Sequence, residues 1–294
     1  MKHASVSFGF LLAAGLLAAP AAAQQRTDTT FAVERSGTLR LDNHEGRVLV
    51  RGWNEARMRI RAVHPARVQI DVRRSAAGVR VEGEAARGPA RGIDYEIDVP
   101  RGWNVQIDGH SASIVVQETG GNLTASTVNG DIVVRGVAAA NLENVNGEIM
   151  LRNARGNVNV ETVNKSINID DVVGDVAAES VNGAILLAGI DASTVRSSSV
   201  SGRLQFAGRI REGGTYSFDS HNGDVTVTLP AGAGADVKVA THSGSIEADF
   251  PVQLRTQAGR SGELGFTIGR GGAQLRIESF NGAIRILSAD RRRP

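Results

Sequence analysis

Two columns of side chains in this sequence have the types and spacing to do chemistry. Glu143, Glu161 and Glu179 recur every 18 residues, and Asp219 and Glu278 occupy the same place in later copies of one motif. Hydrolases and lyases on parallel β-helices use carboxylates clustered on an outer face, often with calcium, to handle sugar acids and glycosidic bonds. If the copies stack, like charges about 5 Å apart repel, so such a column would take up protons or collect a cation. Its neighbours are Asn, Thr and Ser rather than the Arg or Lys that would pair with a substrate carboxylate, which favours an ordinary solvated face. Four of the six histidines share a second column: His44, His110, His221 and His242. At a period of 21 residues, His221 and His242 fall on consecutive coils, within reach of one divalent metal. Two imidazoles make half a site, however, and stacked rings at a corner are the simpler reading. The run Gly269–Gly272 precedes a strand rather than a helix, so it is no phosphate loop. No serine sits in a nucleophile elbow. No catalytic or cofactor-binding residue is therefore expected, and His221 and His242 stand as the metal candidates.

What positions these columns is a repeat. VNGDIVVRG, starting at Val128, recurs as VNGEIMLRN, VNKSINIDD, VNGAILLAG, VSGRLQFAG, HNGDVTVTL, HSGSIEADF and FNGAIRILS. The turn residues are Asn129, Asn146, Asn164, Asn182, Ser201, Asn222, Ser243 and Asn281, and Gly130, Gly147, Gly183, Gly223 and Gly282 follow the Asn members. Spacings run from 17 to 21 residues, and the 38 before Asn281 reads as two periods with a degenerate copy between. Apolar residues alternate with polar ones on both sides of each turn, the period of half-buried strands. An Asn-Gly turn usually signals an antiparallel hairpin. Hairpins have no reason to restore the same columns every 18 residues, whereas a coil climbing one strand spacing per repeat must do so. The prediction is an all-β parallel β-solenoid (β-helix) with about 18 to 21 residues per coil. Stacking places Asn129, Asn146, Asn164 and Asn182 in a side-chain amide ladder beside a hydroxyl ladder of Thr162, Ser180, Ser199, Ser220 and Thr241. Lys165 replaces the glycine of one copy. If that position is left-handed, the rung carries about 1 to 2 kcal/mol of strain.

The rest of the chain frames the repeat. Residues 1–23 read as a secretory signal: Lys2 at the polar start, an apolar core from Phe8 to Ala18, and small residues at Ala21 to Ala23. That core is too short to cross a bilayer, and no later run approaches the length of a transmembrane segment. With 33 basic and 31 acidic residues the formal net charge is only +2, which offers no basic footprint for nucleic acid. There are no cysteines, hence no disulfide and no thiol for lipid attachment. Residues 24–109 read as a β-rich cap with first irregular coils. In it TLRLDNHEGRVLVRGW already resembles a rung, with Gly46 in the turn and Val48 and Val50 inward, while Trp53 and Trp103 cover apolar ends. Regular coils follow over 110–287, interrupted by 251–272, read as a decaying rung with a Gly- and Arg-rich loop. Residues 288–294, with Arg291, Arg292 and Arg293, read as a frayed basic tail.

The rung motif, the stretch LDNHEGRVLVRGW, YEIDVP before the first regular coil and the export signal together resemble the bacterial β-strand-repeat family labelled "putative adhesin", a domain of unknown function. The likeness covers about residues 30 to 287. It implies an exported, non-enzymatic, right-handed β-solenoid on or near the cell envelope, and it carries over no binding residues. The expected role is a surface-interaction protein that presents a repetitive polar face to an envelope or surface glycan or protein, in the periplasm, at the cell surface or secreted. A polysaccharide-acting lyase or hydrolase on the same scaffold, and an envelope-stress scaffold or sensor, are the alternatives.

Overall fold

The computed structural model describes residues 24–255 and 263–289. Residues 1–23, read above as an export signal, and the arginines of the tail lie outside the described residues. Within them every regular element is a strand.

Alternation in the sequence becomes alternation in burial. In strand Val158–Thr162, Val158, Val160 and Thr162 are buried while Glu161 is exposed, and Ile167 and Ile169 repeat the pattern across the turn. Successive coils then pair in parallel and in register: Ile132, Ile149, Ile167, Ile185, Leu204, Val225 and Ile284 stack as one internal file. Like sits on like, so each coil buries its aliphatics against those of its two neighbours. Where the period lengthens to 21, larger side chains fill the wider section. Phe206 packs at 5.0 Å from Phe218, and the Tyr216 hydroxyl donates to the Ala192 carbonyl at 2.6 Å.

The order of coils in space departs from their order in sequence at both ends. Strand Thr38–Trp53 pairs along its length with Asn104–Gln117 on one side, and with Gly78–Ala85 and Asp94–Pro100 on the other. The first coil of the chain is thus the second rung. At the far end, Ala273–Asn281 lies between Leu204–Asn222 and Ala235–Ser243, and Ile284–Ser288 lies between Val225–Leu229 and Ile246–Ala248. The last coil is therefore the penultimate rung.

This arrangement corrects the reading of 251–272 as a decaying rung. Glu263–Ile268 runs antiparallel to Ala235–Ser243 on one side and to Val252–Arg255 on the other. The segment covers the end of the stack and turns the chain back. At the other end Arg57–Pro65, Val68–Ser75 and Gln24–Ala32 form the matching antiparallel cover. Reversed strands leave no long parallel rung bare, and a bare edge is a template for aggregation.

The left-handed residues also lie elsewhere than the motif suggests. Lys165 has no positive φ, nor do Gly147, Gly183, Gly223 and Gly282; among the Asn-Gly glycines only Gly130 does, at 136°. Left-handed backbone instead recurs at a bulge on the second side of the coil, at Glu118, Gly136, Asn153, Asp171 and Gly189. Gly, Asn and Asp bear that conformation most cheaply. The expected strain at Lys165 is absent, and the motif glycines are needed for contact distance. A Cβ on Gly147 would stand 1.9 Å from the Gly130 carbonyl oxygen, and one on Gly183 1.9 Å from that of Lys165.

Tyr95 in the cap is buried, and its hydroxyl has no hydrogen-bond partner. Burial raises its pKa above the ordinary 10, helped by the nearby Asp42 and Glu82 charges. An acid raised in the folded state withdraws stability as pH climbs past its unfolded value. Tyr95→Phe should therefore match or exceed the parent melting temperature at pH 7, since an orphaned buried hydroxyl costs about 1 to 3 kcal/mol. It should also lose less stability than the parent above pH 10. A variant melting well below the parent at pH 7 would mean that the hydroxyl has a partner.

Candidate functional site

Each coil turns with a polar side chain facing inward and an apolar or aromatic one facing outward immediately after it. The inward set is Thr127, Asn144, Thr162, Ser180, Ser199, Ser220, Ser279 and Thr241, in register from coil to coil. These groups do not form the expected hydroxyl ladder. Most of them bond the turn backbone instead: Ser180 Oγ accepts from the Gly183 amide at 2.9 Å, Ser279 Oγ donates to the Gly223 carbonyl at 3.1 Å, and Asn144 Nδ2 donates to the Gly130 carbonyl at 2.8 Å, while the Thr162 and Ser220 hydroxyls are buried without a partner. A neighbouring hydroxyl at strand spacing is too far for a direct bond, whereas a turn carbonyl folds back to meet it.

The amide column is continuous where asparagines follow one another. Asn146 donates to Asn129 at 2.9 Å, Asn164 to Asn146 at 2.8 Å and Asn182 to Asn164 at 3.1 Å. Asn281 donates to Asn222 at 2.9 Å across 59 residues of sequence, a contact made by the displaced last coil. A second ladder, Asn159 to Asn141 at 2.9 Å, runs on the outer face of the same strands.

That displaced coil also overturns the shared-metal geometry at His221 and His242. The Phe280 ring lies between them, 4.9 Å from His221 and 4.7 Å from His242, nearly parallel to both. Two rung spacings, about 9 to 10 Å, separate the imidazoles, so they cannot bind one ion. His44 and His110 do occupy adjacent rungs and stack at 4.9 Å. The one group of three acidic residues whose oxygens converge among the described residues, Asp71, Glu82 and Glu84, already holds the Arg73 guanidinium.

The outward residues build a ridge. Val145, Val163, Val181 and Val200 continue into His221, Phe280 and His242. Val163, Val181, Val200 and Phe280 are 36, 41, 48 and 46% exposed and are most of the exposed large apolar side chains among the described residues. Two residues earlier along each strand stands the acidic wall: Asp108, Ser126, Glu143, Glu161, Glu179, Ser198, Asp219 and Glu278, one above another. Between ridge and wall a groove runs along the coil axis from Asp42 and His44 to Thr241 and His242, for roughly 40 Å at about 4.8 Å per rung. Its central section encloses about 490 Å³.

Charge compensation differs between this wall and several other faces. There arginines answer many carboxylates: Arg51 and Arg61 flank Glu96 and Asp98, Arg211 holds Asp191 at 2.8 Å, and Arg285 holds Asp224 at 3.1 Å, while Asp94, Asp131 and Asp175 take backbone amides and no arginine among the described residues. Asp28 and Asp191 are accordingly held below the usual carboxylate range by hydrogen bonds from Arg59 and Arg211. Asp224 is held there by the Ala283 amide and then by Arg285. In the groove only the ends are answered, Asp42 by Arg80 and Glu278 by Arg276. Among the described residues, Glu143 and Glu161 receive only the neutral Asn141 and Asn159 amides, and no arginine or lysine pairs with Glu179.

The ridge is the part of the site that the motif reading passed over. Its signal was present: Val163 directly follows inward Thr162, so the period-two register turns it outward, an apolar side chain on the polar phase of the strand. Trp103 is buried and donates to the Glu34 carbonyl at 3.0 Å, and Trp53 donates to Arg57 at 2.7 Å. Trp103 is thus enclosed against the segment 34–37, whereas Trp53 is only half-buried.

Fold and groove together define a parallel β-solenoid with capped ends and one long amphipathic channel. The chain belongs to the Toastrack family, DUF4097, whose profile matches residues 36–287. No curated protein matches it. Solved structures similar to it include a "putative adhesin" from Parabacteroides merdae (10% identity, 90% of this chain and 96% of that one, TM-score 0.44). A second is a "putative adhesin" from Bacteroides fragilis (10%, 90% and 99%, 0.42). A third is a "putative cell adhesion protein" from Clostridium sporogenes (13%, 90% and 100%, 0.28).

Proposed function

We propose that this chain is a non-enzymatic exported β-solenoid of the adhesin kind, which presents its axial groove to a glycan or protein partner at the cell envelope. In this reading 1–23 direct export, 24–109 cap the stack, 110–287 form the display surface and 288–294 are a basic tail. The continuous groove, with its exposed ridge and uncompensated wall, is the observation that carries it. Exposed apolar surface of this extent on one line of a molecule marks an interaction site.

The same geometry argues against glycosidic cleavage. That chemistry needs two carboxyl groups facing each other across the scissile bond, about 5 to 10 Å apart. Here the carboxylates stand in single file on one wall, and the opposite wall is valine. A glycan array with and without calcium, run beside a polyuronide lyase assay, tests the reading. Binding without turnover is expected; turnover that disappears in Glu161→Gln would replace it with the enzymatic alternative.

A further inference from the structure

The groove's dimensions and charge restrict what lies in it. Its central carboxylates, Glu143, Glu161 and Glu179, are in register on consecutive rungs and have no cationic partner among the described residues. An occupant must bring positive charge at a repeat the rungs can match. A polyproline II helix turns once every three residues at 3.1 Å each, so one of its faces repeats about every 9.3 Å. Two rungs span about 9.6 Å. A cation at every third position would thus meet the carboxylate of every second rung with little drift. An extended strand repeats one face at about 6.8 Å and falls out of step within a few rungs.

The ridge points the same way. Val163, Val181 and Val200 offer aliphatic surface to pyrrolidine rings, and polyproline II segments dock with little ordering cost because they are stiff beforehand. We propose that the groove docks a proline-rich segment of a protein partner in polyproline II conformation, with Lys or Arg at every third residue. This rests on the display reading and names its partner class.

The test is a titration of the full chain with a labelled peptide of five Lys-Pro-Pro repeats at low salt. Saturable binding is expected, weakening as salt rises and falling at least roughly tenfold in Glu143→Gln/Glu161→Gln/Glu179→Gln at an unchanged melting temperature. If that triple variant does not fold, Glu179→Gln alone should weaken binding about threefold, because Glu179 lies on the alternate rungs that carry Asp108, Glu143 and Asp219. An isomer of the peptide with its lysines contiguous should bind several-fold more weakly. Absence of saturable binding, equal binding by the variants, or equal affinity for the isomer overturns the proposal. Binding of a neutral glycan in its place, lost in the triple variant, overturns this partner while leaving the display role intact; polyuronide turnover would instead remove the display role.

Discussion

A chain ending at Gly272 is expected to lose far more than its last coil. In a solenoid stacked in sequence order, deleting the terminal repeat removes one interface and leaves the others standing. Here residues 273–288 are hydrogen-bonded on both sides, to 215–229 and to 235–248. Removing them exposes two parallel edges and takes away the buried Ala273, Leu275, Ile277, Ile284 and Ile286 against which both neighbouring coils pack. At about 1.5 to 3 kcal/mol for each large aliphatic, the loss is on the order of 10 kcal/mol, comparable with the whole stability of a typical domain. Limited proteolysis of the truncated chain should cut throughout 209–272 while coils 104–208 stay protected, and its melting transition should be lowered and broadened. Trimming confined to residues after 249, with the parent melting midpoint, would contradict the intercalated order of the coils.

The second large effect falls on Gly183. Its missing Cβ would sit 1.9 Å from the Lys165 carbonyl oxygen and 2.9 Å from Ser180 Oγ, and the first of these is backbone that cannot step aside. Gly183→Val should therefore cost more than the roughly 1 to 3 kcal/mol usual for overpacking. It prises apart two coils and breaks the bonds from Asn182 to Asn164 and from the Gly183 amide to Ser180. Gly183→Ala should cost nearly as much, because the first carbon is the offending atom. Gly232→Ala, where nothing lies within 4 Å, is the control and should melt like the parent. Ile185→Asp, at the core position beside the turn, should be comparably severe, since a buried carboxylate without a partner costs several kcal/mol. Thermal denaturation of the four variants checks these together. A harmless Gly183→Ala would mean that coil spacing is looser than the backbone contact implies.

The columns were legible because they are local facts repeated. Val158, Val160 and Thr162 state which way each strand faces, and a fixed period states what lies above them. Glu143, Glu161 and Glu179 follow directly, as does the amide ladder. The hydroxyl column was legible in position but not in bonding, because strand spacing exceeds hydrogen-bond reach and the turn carbonyl is the nearer partner. The ridge was legible in part, since Val163 breaks the alternation, but its exposure depends on nothing else packing over that corner.

Sequence by itself determined the solenoid: period-two strands, a turn restored every 17 to 21 residues, and the stacking of like side chains that the repeat enforces. Tertiary structure decided which coil sits next to which. A parallel edge will accept any coil of matching pattern, so whether His242 neighbours His221 or Phe280 is a competition between distant segments. The antiparallel strand 263–268, backed by 252–255, covers the Ala235–Ser243 edge, and the last coil takes the place one step inward. Tertiary structure also decided why glycine recurs in the turns, because the distance from Gly183 to the coil beneath it exists only once both coils have closed.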